Sequence, residues 1–282
     1  MKCWKYIVFT PLKKVNIACE MYQNSMDESD QKDVWYDLYI KDKEKAVKRN
    51  PKTFNELIEK ELSTRIGMSG YSNIKTIEIG CGTAAASYRF ALRGADVTIM
   101  DYSESALAVA KVRLEPFKNR YHVHHGDLFK DIPDELFGTF DISMSFGLAE
   151  HFTGSQRSEV FKIHHRLLKP GGFSIISVPN SRCIPYVLIM KASKPLGAWR
   201  VGTEIPFSQE ELDSILSKSG FSSYSINNPS YFLMDCLNWG LKKPLDIISK
   251  RKININISRF NKRTHLDERM GFVFYIFGEN EQ

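Results

Sequence analysis

Residues 77–87 read IEIGCGTAAAS: an apolar run leaves through Gly80 and Gly82 into small residues suited to a helix. Glycine serves where backbone must take a positive φ or let a ligand approach without a Cβ in the way. A glycine-rich turn between a first strand and a first helix is where an open α/β sheet binds nucleotide-like ligands. Alone, G-x-G is a weak sign, because many such turns contain it. Two carboxylates in register strengthen it. Asp101 ends the second apolar run, about 20 residues beyond Gly80, where an acid accepts from both hydroxyls of a ribose. Its simpler role is to cap the next helix, for which Ser103 is an alternative. Asp127, in HHGDLF (124–129), can accept from an exocyclic adenine amine while Leu128 presents its backbone amide, and here too a helix cap is the simpler role.

These residues need a frame. Apolar runs at 75–80, 96–101, 121–125, 140–146 and 173–178 alternate with helix-length segments near 83–93, 103–115 and 155–168. That alternation predicts a parallel α/β sheet covered on both faces. LLKPGG (167–172) reads as a reversal just before the fifth strand. Upstream, TFNELIEKELSTRIG (53–67) predicts a helix with Thr53 and Glu56 as a capping box and Gly67 as its stop. DVWYDLYIKDKEKAVKRN (33–50) predicts another, so residues 1–70 read as a helical extension to a domain at 71–282. After Pro179, residues 180–207 read as a long connection rich in aromatics, including Tyr186, Trp199 and Phe207. SQEELDSILSKSG (208–220) restores a helix, with Ser208 and Glu211 as a second capping box, and strands at 222–227 and 271–278 close the pattern. Residues 228–270 are too many for a hairpin loop, which predicts an insertion with its own helices along one sheet edge.

The 282 residues suffice for one large domain with an addition, and 43% hydrophobic with 26% charged is ordinary for a soluble chain. No apolar run reaches the roughly 20 residues that span a bilayer. WKYIVF (4–9) is short and broken by TPLKK, a poor signal peptide, so the expected location is cytoplasmic, with Met21 and Met26 as alternative starts. Five scattered cysteines without CxxC spacing argue against a disulfide framework or a zinc site. His122 and His124 share a strand face while His125 points away, and the neighbours His164 and His165 diverge on a helix, so no metal is expected. The net charge of +6 is uneven: residues 241–263 hold eight Lys/Arg and one Asp. An anionic partner or a solvated face both fit such a segment.

EIGCGT, MDYS, GDL, DISMSFGLAEH and LKPGG, taken together, resemble the successive motifs of class I S-adenosylmethionine-dependent methyltransferases. The resemblance covers roughly residues 70–180 and continues more weakly to the C-terminus. It implies a Rossmann-like seven-stranded sheet with helices on both faces, its last strand antiparallel between its neighbours, and S-adenosyl-L-methionine as cofactor. It also implies that Glu78, Gly80, Cys81 and Gly82 line the methionine side, that Asp101 and Tyr102 hold the ribose and flank adenine, and that Asp127 and Leu128 read the adenine edge. Phe146 and Gly147 come to lie beside the methyl group. The family's usual third glycine is Ala84 here, a position expected to serve close helix–strand packing. The pattern G-C-G-T-A suits adenosylmethionine better than the two phosphates of NAD.

Methyl transfer from a sulfonium needs alignment and exclusion of water, and a weakly acidic acceptor gains from a general base. Glu150 and His151, in GLAEHF just past the fourth strand, are the candidates; a helix-terminal acid and a packed histidine are the plainer alternatives. The acceptor pocket is expected from the lid segments 180–207 and 228–270, where WRVGTEIPF sets Glu204 among aromatics. The expected reaction is methylation of an O or N atom of a small, partly apolar molecule. Segment 241–263 could instead follow an RNA backbone, but the fourth strand ends in SFGLAE rather than an Asn/Asp-Pro-Pro-Tyr type, and no Pro-Cys pair is present, which argues against nucleic acid. Residues 232–263 could also make peripheral membrane contact in a lipid- or quinone-directed enzyme. A non-catalytic adenosylmethionine-binding protein is the remaining alternative. Nothing in the sequence sets the oligomeric state.

Overall fold

The computed structural model describes residues 56–66, 70–199, 201–249 and 264–281; the predicted helix 33–50, Thr53 of the first capping box and residues 250–263 of the basic segment lie outside them. Seven strands form one sheet: β1 (Lys75–Ile79), β2 (Asp96–Asp101), β3 (Tyr121–His125), β4 (Phe140–Phe146), β5 (Leu168–Pro179), β6 (Ser223–Asn227) and β7 (Val273–Asn280). Their order is β3-β2-β1-β4-β5-β7-β6. The first five are parallel, and β7 runs antiparallel between β5 and β6. β1 sits where the order reverses, with β2 on one side and β4 on the other. In an open α/β sheet the crevice at the carboxyl ends there is the ligand-binding position.

Side chains that alternate along the strands fill two cores. One face packs Val97, Ile99, Ile142 and Met144 against α1 (Glu56–Ile66), α2 (Ala85–Leu92) and α3 (Glu104–Leu114). The other packs Ile77, Ile79 and Ile176 against α4 (Gly154–Leu167) and α6 (Gln209–Leu216). Each such buried aliphatic contributes about 1.5–3 kcal/mol. α5 (Ile184–Ser193) starts with Pro185 in its first turn, a position that tolerates a missing N–H. It lies inside the segment expected as a connection: its stretch IPYVLIM is apolar on every face, so no helical period marks it in the sequence.

LKPGG also departs from expectation, since it belongs to the sheet. Leu168 pairs with Phe140 and Phe173 with Ile142, so Lys169–Gly172 bulge out between two rungs. A Cβ on Gly172 would stand 2.9 Å from the Phe140 carbonyl oxygen, which is why that position is glycine. The predicted insertion carries α7 (Phe232–Leu237), a π-helical turn (Asn238–Lys242), α8 (Lys243–Ser249) and α9 (Asp267–Met270). Buried Asp267 anchors it, accepting from Phe232 N at 2.8 Å and Thr264 N at 2.6 Å.

Candidate functional site

The turn after β1 is built on backbone. Gly80 has φ +60°, and a Cβ there would come within 2.6 Å of Leu148 Cδ1. Cys81 N donates to Met100 O at 3.1 Å, which locks the turn to β2. Gly82 N donates to Asp101 Oδ2 at 2.8 Å. Ala84 is left-handed, with φ 51° and ψ 40°, and fully buried. The position therefore demands a positive φ as well as close packing, which corrects the packing-only expectation; an alanine there bears roughly 1–2 kcal/mol of strain.

Glu78, the acid expected on the methionine side, is buried beneath the turn. Its Oε2 accepts from Ser87 N at 2.8 Å and Ser87 Oγ at 2.6 Å, fastening α2 to β1, and burial pushes its carboxyl up to about 7. Cys81 is buried, and its thiol is pushed far above the usual range by desolvation, then by Asp101 and Glu78. Such a thiol is not an available nucleophile.

Asp101 uses Oδ1 to accept from Ser103 N at 2.9 Å, while Ser103 Oγ caps α3 through Ala106 N at 3.3 Å. The serine is thus the helix cap, and the aspartate holds the turn. Burial raises the Asp101 carboxyl and the two backbone donors pull it back. Tyr102 is half-buried, its carbonyl bonded to His125 Nε2 at 3.0 Å. Asp127 serves its own turn: Oδ1 accepts from Phe129 N at 2.8 Å and Oδ2 pairs with Lys130 at 3.1 Å. Leu128 packs against the second core. Phe146 lies against Tyr275 with ring centroids 6.4 Å apart, and Gly147 N donates to Ser177 O at 3.1 Å.

Glu150 and His151 share a short helical turn after β4, Ala149–His151. Glu150 is buried, and among the described residues its Oε2 has no hydrogen-bond partner. Burial, with a lesser push from Glu204, raises its carboxyl to about 8. His151 Nδ1 donates to Thr203 O at 2.5 Å, and burial lowers the ring below its ordinary range. Ile205 N donates to Glu150 O at 2.8 Å, so both residues hold the segment 203–205 over the strand ends. Glu204 is buried there, its carboxylate taken by Tyr186 OH and, at 3.0 Å, by Trp199 Nε1. Tyr186 also stacks edge-on against Trp239 and Phe272, each at 4.8 Å, which joins the two lid segments. The sequence marked Tyr186 only as aromatic; its pairing with Glu204 has no spacing signature, because 18 residues separate them.

Among the described residues no cluster of His, Cys, Asp and Glu is placed to hold a metal ion. A cleft of about 330 Å³, lined by Arg65, Asp141, Phe173 and Glu279 among others, opens at the opposite ends of the parallel strands. Its charges are mutually satisfied by Arg65–Glu279 and Lys169–Asp141 pairs, and it does not touch the glycine turn.

A family profile described as a methyltransferase domain matches residues 77–172. A ubiquinone biosynthesis O-methyltransferase of Pseudomonas aeruginosa (strain UCBPP-PA14) is 33% identical over 120 residues, 42% of this chain and 49% of that protein. Its counterpart in Pseudomonas syringae pv. tomato is 28% identical over 152 residues, 54% of this chain and 62% of the relative. The chain thus spans about half the length of the first of these relatives. Among solved structures, phosphoethanolamine N-methyltransferase 2 of Haemonchus contortus, in complex with S-adenosyl-L-methionine, superposes with a TM-score of 0.55 at 20% identity, over 83% of this chain and 54% of that one. Geranyl diphosphate C-methyltransferase of Streptomyces coelicolor A3(2) gives 0.51 at 14% identity, over 80% and 79%. These likenesses establish the shared fold. Residues 77–172 thus match a methyltransferase domain, and the strand order, with the glycine turn at the switch point, is the fold shared with these S-adenosylmethionine-dependent methyltransferases.

Proposed function

We propose that the chain transfers a methyl group from S-adenosyl-L-methionine to an oxygen or nitrogen atom of a small, partly apolar molecule. The observation that carries this reading is the Gly82–Asp101 bond at the carboxyl ends of β1 and β2. It sets a turn with two glycines, Gly80 and Gly82, beside a buried carboxylate, the pairing that a methionine tail and a ribose require. A carboxylate has about four lone-pair sites, so Asp101 keeps capacity for both ribose hydroxyls after bonding Gly82 and Ser103. Tyr102 would flank the adenine, Asp127 and Leu128 its edge, and Phe146 and Gly147 the methyl. Gly80, Cys81 and Gly82 supply the turn, with Glu78 as its support from beneath. Bound there, the donor supplies an electrophilic methyl carbon on sulfur.

The chain's own residues align, enclose and deprotonate. Nδ1–H donates to the Thr203 carbonyl, and the ring's second backbone partner, Gly147, favours the imidazolium that forms when Nε2 accepts a proton. That nitrogen takes the acceptor's proton as the new bond to carbon forms. Glu150, with a carboxyl raised to about 8, stays largely protonated at neutral pH and holds the lid rather than acting as base. The aromatic lid on Tyr186, Trp199 and Trp239 excludes water and suits an apolar ring. The O-methyltransferase relatives favour a hydroxyl acceptor first. In this reading 71–282 is the domain, with lids at 180–207 and 228–270 and a helical extension at 1–70.

Incubation with methyl-tritiated adenosylmethionine and a panel of phenols, catechols and aromatic amines tests the proposal. Label should move to at least one acceptor with matching release of adenosylhomocysteine. Donor binding without transfer across the panel would favour the non-catalytic alternative.

A further inference from the structure

Glu204 stands at the centre of a closed circuit of bonds. Tyr186 OH and Trp199 Nε1 donate to its two carboxylate oxygens, the second at 3.0 Å. Both flanking peptides are held as well. His151 Nδ1 donates to Thr203 O on one side, and Ile205 N donates to Glu150 O at 2.8 Å on the other. Lys194 Nζ reaches the Glu204 carbonyl at 3.4 Å. Glu150 and His151 are neighbours on one turn, so the circuit runs from His151 through Thr203, Glu204 and Ile205 back to Glu150.

Peptide planarity gives the central residue its leverage. The Thr203 carbonyl and the Glu204 N–H belong to one rigid unit, so holding Glu204 limits where that carbonyl can point. Upstream, Gly202 has φ +70° and open space where a Cβ would stand, so that side adds no packing. The anchor is the Glu204 side chain, buried beside Tyr186 and Trp199, whose rings stand 5.9 Å apart. A buried carboxylate and a fully buried tyrosine hydroxyl each need the other, because an unpaired polar group is costly away from water.

The carbonyl so aimed decides which nitrogen of His151 is free. A neutral ring carries one proton, and this ring has two backbone partners, Thr203 and Gly147. A carbonyl oxygen only accepts, so the Thr203 contact at 2.5 Å keeps the proton on Nδ1 and leaves Nε2 its lone pair.

We propose that Glu204, clamped by Tyr186 and Trp199, is a positioning residue that fixes the Thr203 carbonyl against His151 Nδ1 and so keeps Nε2 free to take the acceptor's proton. The inference rests on the reading of His151 as base. It makes base and lid one unit, because Tyr186 also packs on Trp239 and Phe272 of the insertion. The base is then correctly protonated only while the aromatic lid is in place.

Nuclear magnetic resonance of the full chain carrying nitrogen-labelled histidine tests it, with His151 signals assigned by their loss in His151→Gln. The neutral parent ring should carry its proton on Nδ1. Glu204→Gln should keep it there, since a carboxamide accepts from Trp199 through its oxygen and donates to the Tyr186 hydroxyl through its nitrogen. Glu204→Leu releases the carbonyl, and Tyr186→Phe removes one of the two clamps. In both the proton should spread to Nε2, and kcat should fall about tenfold or more in the leucine variant while donor affinity stays within about twofold. Circular dichroism establishes that each variant is folded. A proton kept on Nδ1 in folded Glu204→Leu, or in Tyr186→Phe where the leucine variant does not fold, overturns the proposal. A parent ring protonated on Nε2 overturns it too. Full activity of His151→Ala contradicts the base reading and takes the inference with it, a failure distinct from a tautomer that does not move.

Discussion

The Asp101 carboxylate accepts the Gly82 N–H at 2.8 Å and the Ser103 N–H at 2.9 Å, so one buried acid holds both the turn after β1 and the start of α3. Cys81 N bonded to Met100 O reinforces the same junction. The consequence is preorganisation: turn and carboxylate keep their spacing, and a ligand that needs both meets them already in place.

Ala84 supplies the first prediction. Its left-handed backbone admits glycine without strain, whereas a β-branched side chain is a severe outlier there. Ala84→Gly should leave stability within about 1 kcal/mol of the parent, relief of strain offsetting a lost buried methyl and a more flexible unfolded chain. Ala84→Val should cost at least about 2 kcal/mol and weaken adenosylhomocysteine binding. Urea unfolding of both variants, with equal m-values, checks the contrast; equal tolerance of valine would contradict the φ argument.

His151 and Glu150 divide their roles by proton occupancy. His151→Ala should lower kcat by about a hundredfold or more while donor affinity changes by less than about twofold. Glu150→Gln resembles the protonated acid already present near neutrality, so kcat at about pH 7 should stay within a few-fold. A hundredfold loss in Glu150→Gln with an active His151→Ala would reverse the assignment.

The same buried groups set the response to pH. Glu150 and Glu78 have folded values of about 8 and about 7, above the ordinary 4.5, so the native state holds protons that the unfolded chain has released. Their stabilisation is complete below about 4.5 and is lost as pH rises through 7 and 8, at up to about 1.4 kcal/mol per pH unit for each group. His164 has the opposite sign. Buried between Ser143 Oγ and Ser145 Oγ at 3.1 and 2.9 Å, it is lowered to about 3 by desolvation. Its stabilisation is present above about 6.5 and is lost as pH falls toward 3. Melting temperatures from about pH 5 to about pH 9 should therefore show Glu150→Gln gaining on the parent as pH rises. A constant difference between the two would show that Glu150 does not titrate differently on folding.

Strands and switch point were legible because their signals are local: short apolar runs, a Gly-x-Gly turn, an acid at the next strand's end. The antiparallel place of β7 came through the family resemblance, since no local pattern states a strand's direction. α5 escaped because apolar residues surround it, leaving no period to read. LKPGG misled because Pro and Gly mark a bulge as well as a turn, and only the pairing of Leu168 with Phe140 separates the two. Within the site, Glu78 and Asp101 look equivalent in sequence. Their difference is depth: Glu78 faces Ser87 beneath the turn, while Asp101 faces Gly82 at its rim. The lid pairing of Tyr186, Trp199 and Glu204 depends on tertiary packing alone.

The central claim is that the glycine turn and Asp101 form the donor site. Calorimetric titration of the purified chain with adenosylmethionine and adenosylhomocysteine, beside Asp101→Asn and Asp101→Ala, tests it most directly. Saturable binding of both ligands is expected, weakened by at least about tenfold in the folded alanine variant and less in the asparagine variant, which keeps one acceptor oxygen. Absence of binding by the folded parent, or equal affinity in all three proteins, would contradict the account.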